Sequence, residues 1–191
     1  MHKYFRASAW ILGACTIVIA VICAHFGDNI RGYYKFKSLC ETEAGIQVFH
    51  PLQRGVGWTA KRNYGHLVIA NMKQVAFGRY VDANGTLRDI RYRTGPIGAE
   101  ASYDIVSADI TKPVVYSLTM FTEAVPETHR THRSGYEVRE IATGRLMVRW
   151  TQVGYSTFDQ DHTLLAAPSG QVCHSWHDFD NPENQAKYFA N

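Results

Sequence analysis

The sequence predicts an α+β protein in which an N-terminal transmembrane helix continues into a helix packed on a mostly antiparallel sheet of about six strands. Three observations predict it. The run Ala7 to Phe26 is apolar, stands behind a basic tip carrying Lys3 and Arg6, and at about 1.5 Å per residue is long enough for a bilayer core of about 30 Å. Two stretches of alternating apolar and polar residues fold back at turn signals, Asp82-Ala83-Asn84-Gly85 and Ala142-Thr143-Gly144. Aromatic residues make up 13% of the chain, which suits strands with one wet face.

The anchor admits three readings. A cleaved signal needs small residues before its cleavage site, and the best candidate, Ile22-Cys23-Ala24, places a bulky Ile where a small one is wanted. A lipoprotein signal fits the wording of Leu12-Gly13-Ala14-Cys15, but the chain then continues TIVIAVICAHF, where a lipidated Cys15 should open a polar sequence. The expected reading is an uncleaved single-pass anchor over residues 1–27 and one extracytoplasmic domain over 28–191, with the location a bacterial inner membrane and the domain in the periplasm. Positive charge does not fix the orientation, because Lys3 and Arg6 on one side face Arg31, Lys35 and Lys37 on the other. Within the run, Ala9 and Gly13, and Ala20 and Ala24, are small-xxx-small pairs that could seat a partner helix.

Cysteine usage bears on the compartment. Of the four cysteines, Cys15 and Cys23 lie in the apolar run, which leaves Cys40 and Cys173 near the two ends of the domain. Such a pair is what an oxidising compartment uses to close a long loop; the alternative is two unrelated buried thiols. The formal charge of +3 owes two units to Lys3 and Arg6, so the domain is nearly neutral and nothing implies a nucleic-acid partner.

In chain order, Asp28 to Ala44 continues the helix, with Tyr33, Phe36, Leu39 and Cys40 at helical spacing, a kink or short break expected near Gly32 and a left-handed cap at Gly45. Ile46 to His50 reads as a short strand stopped by Pro51. Arg54 to Tyr64 reads as a polar surface loop, and His66 to Val75 as helix or strand. Val75 to Val81 and Leu87 to Tyr92 form a hairpin; Tyr103 to Ile110 and Val114 to Phe121 form a strand pair around Lys112-Pro113. Glu127 to Ser134 is polar and without periodicity, and a second hairpin joins Tyr136 to Ile141 with Leu146 to Tyr155. The tail ends in a short helix capped by Asn181 with Pro182 in its first turn.

Phe36-Lys37-Ser38-Leu39-Cys40, Ala44-Gly45-Ile46-Gln47-Val48-Phe49, the stretch YEVREIATGRLMVRW and the late Cys173 together resemble a group of uncharacterised small bacterial envelope proteins, membrane-anchored or lipoprotein-like. The resemblance spans about residues 36 to 173 and departs from the group where His174, in place of a Pro, follows the late Cys. It implies location and architecture; the group has no established activity.

No catalytic constellation stands out. His174 and His177, beside Asp178 and Cys173, have the residue types of a zinc site, which wants three or four converging ligands, but the HExxH helix motif is absent. A G-x-S-x-G elbow, a P-loop and a dinucleotide fingerprint are absent too. The reading is therefore a non-enzymatic, membrane-anchored envelope protein with no cofactor that binds a protein partner. The alternatives are a periplasmic immunity or inhibitor protein against a toxin or hydrolase, and a histidine-dependent metalloenzyme. Trp58, Tyr64, Arg130 and Arg133 are the candidate partner-binding residues, being interface-rich types on the two polar stretches.

Overall fold

The computed structural model describes residues 2–60, 65–95, 102–126, 130–156, 170–174 and 177–189. Among them the chain forms α1 (His2–Thr42), β1 (Gly45–Val48), β2 (Gly57–Ala60), α2 (Gly65–Ala70), β3 (Phe77–Val81), β4 (Leu87–Tyr92), β5 (Tyr103–Ser107), β6 (Val114–Ala124), β7 (Thr131–Glu140), β8 (Leu146–Ser156), β9 (Gly170–Cys173), α3 (His177–Asp180) and α4 (Pro182–Tyr188). The expected fold class is corrected in two respects. The molecule is mostly sheet, with nine strands where about six were expected. And no helix among the described residues is long and apolar enough to cross a membrane, so the expected transmembrane helix is not found. The side chains of residues 7–12, 22 and 24–26, which make up much of the expected span, lie outside those described, and the 41-residue helix turns polar through Arg31, Lys35 and Lys37.

The sheet runs in the order β1-β8-β7-β6-β2-β3-β4-β5, and β9 extends the β1 edge by pairing with the far end of β8. Most neighbours are antiparallel, but β2 is parallel to both β3 and β6 and joins the two hairpins into one sheet. The stretch expected as a loop, Arg54 to Tyr64, thus supplies the central strand. Four residues that begin with a glycine carry too little alternation to be seen as a strand in sequence. Both expected hairpins form, β3 with β4 through the Asp82–Gly85 turn, and β7 with β8. The expected pairing of Tyr103–Ile110 with Val114–Phe121 does not occur: β5 lies on β4, whereas β6 lies between β2 and β7. The end of the polar stretch Glu127 to Ser134 is already strand, since β7 starts at Thr131; residues 127–129 lie outside those described.

One face of the sheet buries the main core. Trp58, Tyr116, Leu118, Tyr136, Val138, Val148 and Trp150 pack there against Val68 and Ile69 of α2 and against Phe179 and Tyr188 of the C-terminal helices. Asn181 caps α4 as expected, its side chain accepting from the Glu183 amide at 3.0 Å, with Pro182 in the first turn. The other face takes the C-terminal turns of α1. Gly32, Phe36 and Leu39 recur at helical spacing on the buried side of that helix, and Phe36 and Leu39 meet Val125, Val153 and Tyr155. The break expected near Gly32 does not occur: α1 runs through it unbroken. Its missing side chain serves a close approach instead, because a Cβ there would stand 3.0 Å from Cε2 of Tyr155. The helix stops as expected: Glu43 and Ala44 donate to the Leu39 carbonyl, and Gly45 takes φ +100°.

Candidate functional site

The residues singled out in the sequence separate into a stitched junction, a core position and an open surface. The junction lies where α1 ends. Cys40 and Cys173 form a disulfide with their Cα atoms 5.9 Å apart, tying α1 to β9 across 133 residues of chain. Arg133 of β7 grips Glu43 with Nε and Nη2 at 2.6 and 2.9 Å, a two-pronged charge-assisted pair. Tyr155 donates its hydroxyl to the Asn29 carbonyl at 2.9 Å and also meets the Asn29 side chain. Arg130, half-buried, lies against the same helix, its Cβ 3.6 Å from where a Gly32 side chain would begin. Arg130 and Arg133 therefore hold the protein's own helix, in contrast to the expected display on a loop.

Trp58 requires the plainest correction. It was expected on a surface loop as a partner-binding residue; on β2 it is 0% exposed, edge-on to Tyr116 and tilted against Phe189. Its register partners Gly78 and Tyr116 put it on the core face, while Gly57 and Thr59 point the other way. Tyr64 lies outside the described residues. His174 sits beside the disulfide at φ 62°, its Nδ1 3.6 Å from Oδ2 of Asp178; the side chain of His177 lies outside those described. Among the described residues no three His, Cys, Asp or Glu side chains gather as a metal site would require. Gly13 and Ala20 are exposed on α1 with the free thiols Cys15 and Cys23, and the side chains of Ala9 and Ala24 lie outside those described.

The open surface is the wing formed by β3, β4 and β5. Val81 pairs with Leu87, and Asp89, two residues on, pairs with Val106, so Val81, Leu87 and Val106 share one face; all three are exposed. Ile105, 44% exposed, lies on the opposite face of β5 beside buried Ile90, and Ile110, just beyond β5, is 80% exposed. At the end of the sheet order, β5 has no strand on its outer side among the described residues. Its outward N–H and C=O groups are a template for another strand, and apolar side chains flank that template on both faces.

Ion pairs stiffen this wing. Arg79 meets Asp89 through two hydrogen bonds of 2.7 and 2.9 Å, and also reaches the carbonyls of Asp109 at 2.6 Å and Lys112 at 3.2 Å, so the segment after β5 is pinned to the middle of the hairpin. Burial pushes the Asp89 pKa up, but the Arg79 guanidinium and the Asp109 amide outweigh it and hold the carboxyl below its ordinary value. In the turn, Asp82 accepts from the Thr86 and Asn84 amides and from Arg88, and is likewise held below its ordinary value, chiefly by the Thr86 amide. Asp109 is lowered by the Thr111 hydroxyl and by Lys112. These carboxylates are engaged by ion pairs and turn contacts, the Thr111 hydroxyl on Asp109 at 2.6 Å among them, an arrangement that holds the strands of the wing in place. Sequence reading placed Val81, Leu87 and Val106 on strands, but no local signal tells which end strand a sheet leaves uncovered. No protein-family model, curated protein or solved structure matches the chain.

Proposed function

We propose that this chain works by recognition in an oxidising, extracytoplasmic compartment such as the bacterial periplasm, and that it binds a protein partner by accepting an extended segment along β5. The carrying observation is the β5 edge itself, flanked by Ile105 and Val106, which are both close to half exposed. Exposed apolar edge strands invite aggregation, and proteins usually blunt them with charge, proline or a covering element. An edge left this apolar on a frame braced by Arg79 and Asp89 suits strand addition, in which main-chain hydrogen bonds supply affinity and alternate side chains supply choice. The Cys40–Cys173 disulfide supports the compartment, since such bonds persist where thiols are not kept reduced.

The test places a photoreactive residue at Val106 in the full chain and crosslinks in cells. A partner captured from Val106, and lost when Ile105 is replaced by Pro to remove an edge donor and bend the strand, supports the reading. Capture that survives Ile105→Pro, or occurs only from positions on α1, sinks it.

A further inference from the structure

Two cavities open at the start of β3 on opposite faces of the sheet, and Ala76, Phe77 and Arg91 line both. One, of about 180 Å³, lies between the residues that follow α2 and the β3–β4 hairpin; its walls include Ile69, Met72 and Ile90, with Lys73 at its margin. The other, of about 270 Å³, lies between the Gly55–Gly57 backbone, Phe77 and the Lys112-Pro113 segment. At about 30 Å³ for the share of one water-sized group, the larger has room for a body of several heavy atoms. Glycine at position 57 is required for its shape, because any Cβ there would run into the Phe77 ring.

The charge of the lining is one-sided. Arg91 and Lys112 contribute two cations to the larger cavity, and among the described residues no Asp or Glu lines it. Lys112 has Asp109 at 3.3 Å in an exposed pair, but Arg91, exposed and common to both cavities, has no ion-pair or hydrogen-bond partner among the described residues. Its cross-strand neighbour Asp104 faces Arg93 instead, at 3.7 Å. Apolar walls with cations alone at the mouth fit an organic anion with an apolar body. A guanidinium in that position favours a planar carboxylate, which it can grip with two parallel N–H donors.

We infer that the larger cavity is a binding site for a small carboxylate with an aliphatic body, in which Arg91 takes the carboxylate, Lys112 supports it, and the chain lies against Phe77 and its neighbours. The inference is independent of the strand-addition reading and uses a different surface.

The experiment uses the full chain and a photoactivatable decanoic acid, with the matching decanol as the control and free decanoate as competitor. Labelling should map by mass spectrometry to segments 55–57, 76–77 and 111–115 and be displaced by decanoate. The Arg91→Gln, Lys112→Gln double variant should label about tenfold less, the loss expected for a charge-assisted contact, with its melting temperature unchanged. Equal labelling by decanol, undiminished labelling of the double variant, or no labelling of these segments would overturn the inference. So would better displacement by a peptide with a free C-terminal carboxylate than by decanoate, which would make the groove a peptide-terminus site. A free fatty acid and one delivered from lipid share this chemistry; comparing decanoate in solution with decanoate in neutral phospholipid vesicles distinguishes the two sources, and displacement by neither would count against the site.

Discussion

Asp89 and Arg79 face each other across the β3–β4 hairpin with both side chains nearly buried, joined in parallel at 2.7 and 2.9 Å. Their partnership decides how the wing responds to acid. The folded state holds the Asp89 carboxyl ionised below its ordinary range, whereas the unfolded chain releases that proton near pH 3.9. A depressed folded pKa contributes stability that is whole above the unfolded value and is lost as pH falls from there through the folded value. Denaturant melts between pH 6 and 2 should therefore show stability falling from about pH 4 downward. In Asp89→Asn that acid-dependent loss should be smaller.

The same pair predicts an asymmetry between single and double substitutions. Asp89→Leu alone strands a buried guanidinium and should cost about 3 to 5 kcal/mol. Arg79→Met with Asp89→Leu removes both charges and should recover most of that loss, as measured by chemical denaturation. A double variant as unstable as the single would mean that Arg79 matters chiefly through its bonds to the Asp109 and Lys112 carbonyls.

The Cys40–Cys173 disulfide closes a loop of 133 residues, for which the chain-entropy model gives about 5 kcal/mol. Reduction, or Cys40→Ser with Cys173→Ser, should lower the melting temperature and expose the α1 segment from Gly32 to Thr42 to protease. Thiol titration of the unfolded, unreduced full chain should find Cys15 and Cys23 alone. Four reactive thiols from protein made in an oxidising compartment would be the contrary result.

What sequence could and could not show follows from how far each signal reaches. The Cys40–Cys173 pairing, the Gly45 cap and both hairpins were legible because each rests on a residue type with one dominant use or on a turn joining neighbours in sequence. The central strand was not, since the four residues Gly57–Ala60 are strand only because β3 and β6 pair with them from both sides. The separation of β5 from β6 was hidden for a related reason: the strands that lie between them, β2, β3 and β4, all come earlier in the chain. Gly32 misled in a different way, for propensity predicts a break where packing on Tyr155 retains the helix. The recognition surface is the hardest case, because Ile105 and Val106 look in sequence like any other strand residues.

Gly32 offers a test in which two effects have opposite signs. Replacing a helix-interior Gly by Ala gains about 1 kcal/mol in propensity, while the new methyl meets the Tyr155 ring at 3.0 Å. Gly32→Ala should therefore be close to neutral in thermal melts. Gly32→Leu cannot be accommodated without moving α1 off Tyr155, and should cost about 1 to 3 kcal/mol and speed hydrogen exchange of the Phe36–Leu39 turn.

Trp58 separates a core role from a binding role. At 0% exposure amid Tyr116 and Phe189, Trp58→Ala leaves a large void and should cost about 3 to 5 kcal/mol, far from the neutral change expected of a loop residue. Its indole N–H is buried without a hydrogen-bond partner among the described residues, a standing penalty of about 1 to 3 kcal/mol. Trp58→Phe keeps a flat ring and deletes that donor, so relief of the unmet hydrogen bond offsets part of the lost volume. The Phe variant should sit within about 1.5 kcal/mol of the parent by urea denaturation. Near-equal losses in Phe and Ala would mean that the indole N–H is satisfied in solution, by an ordered water at the Trp58–Tyr116 contact.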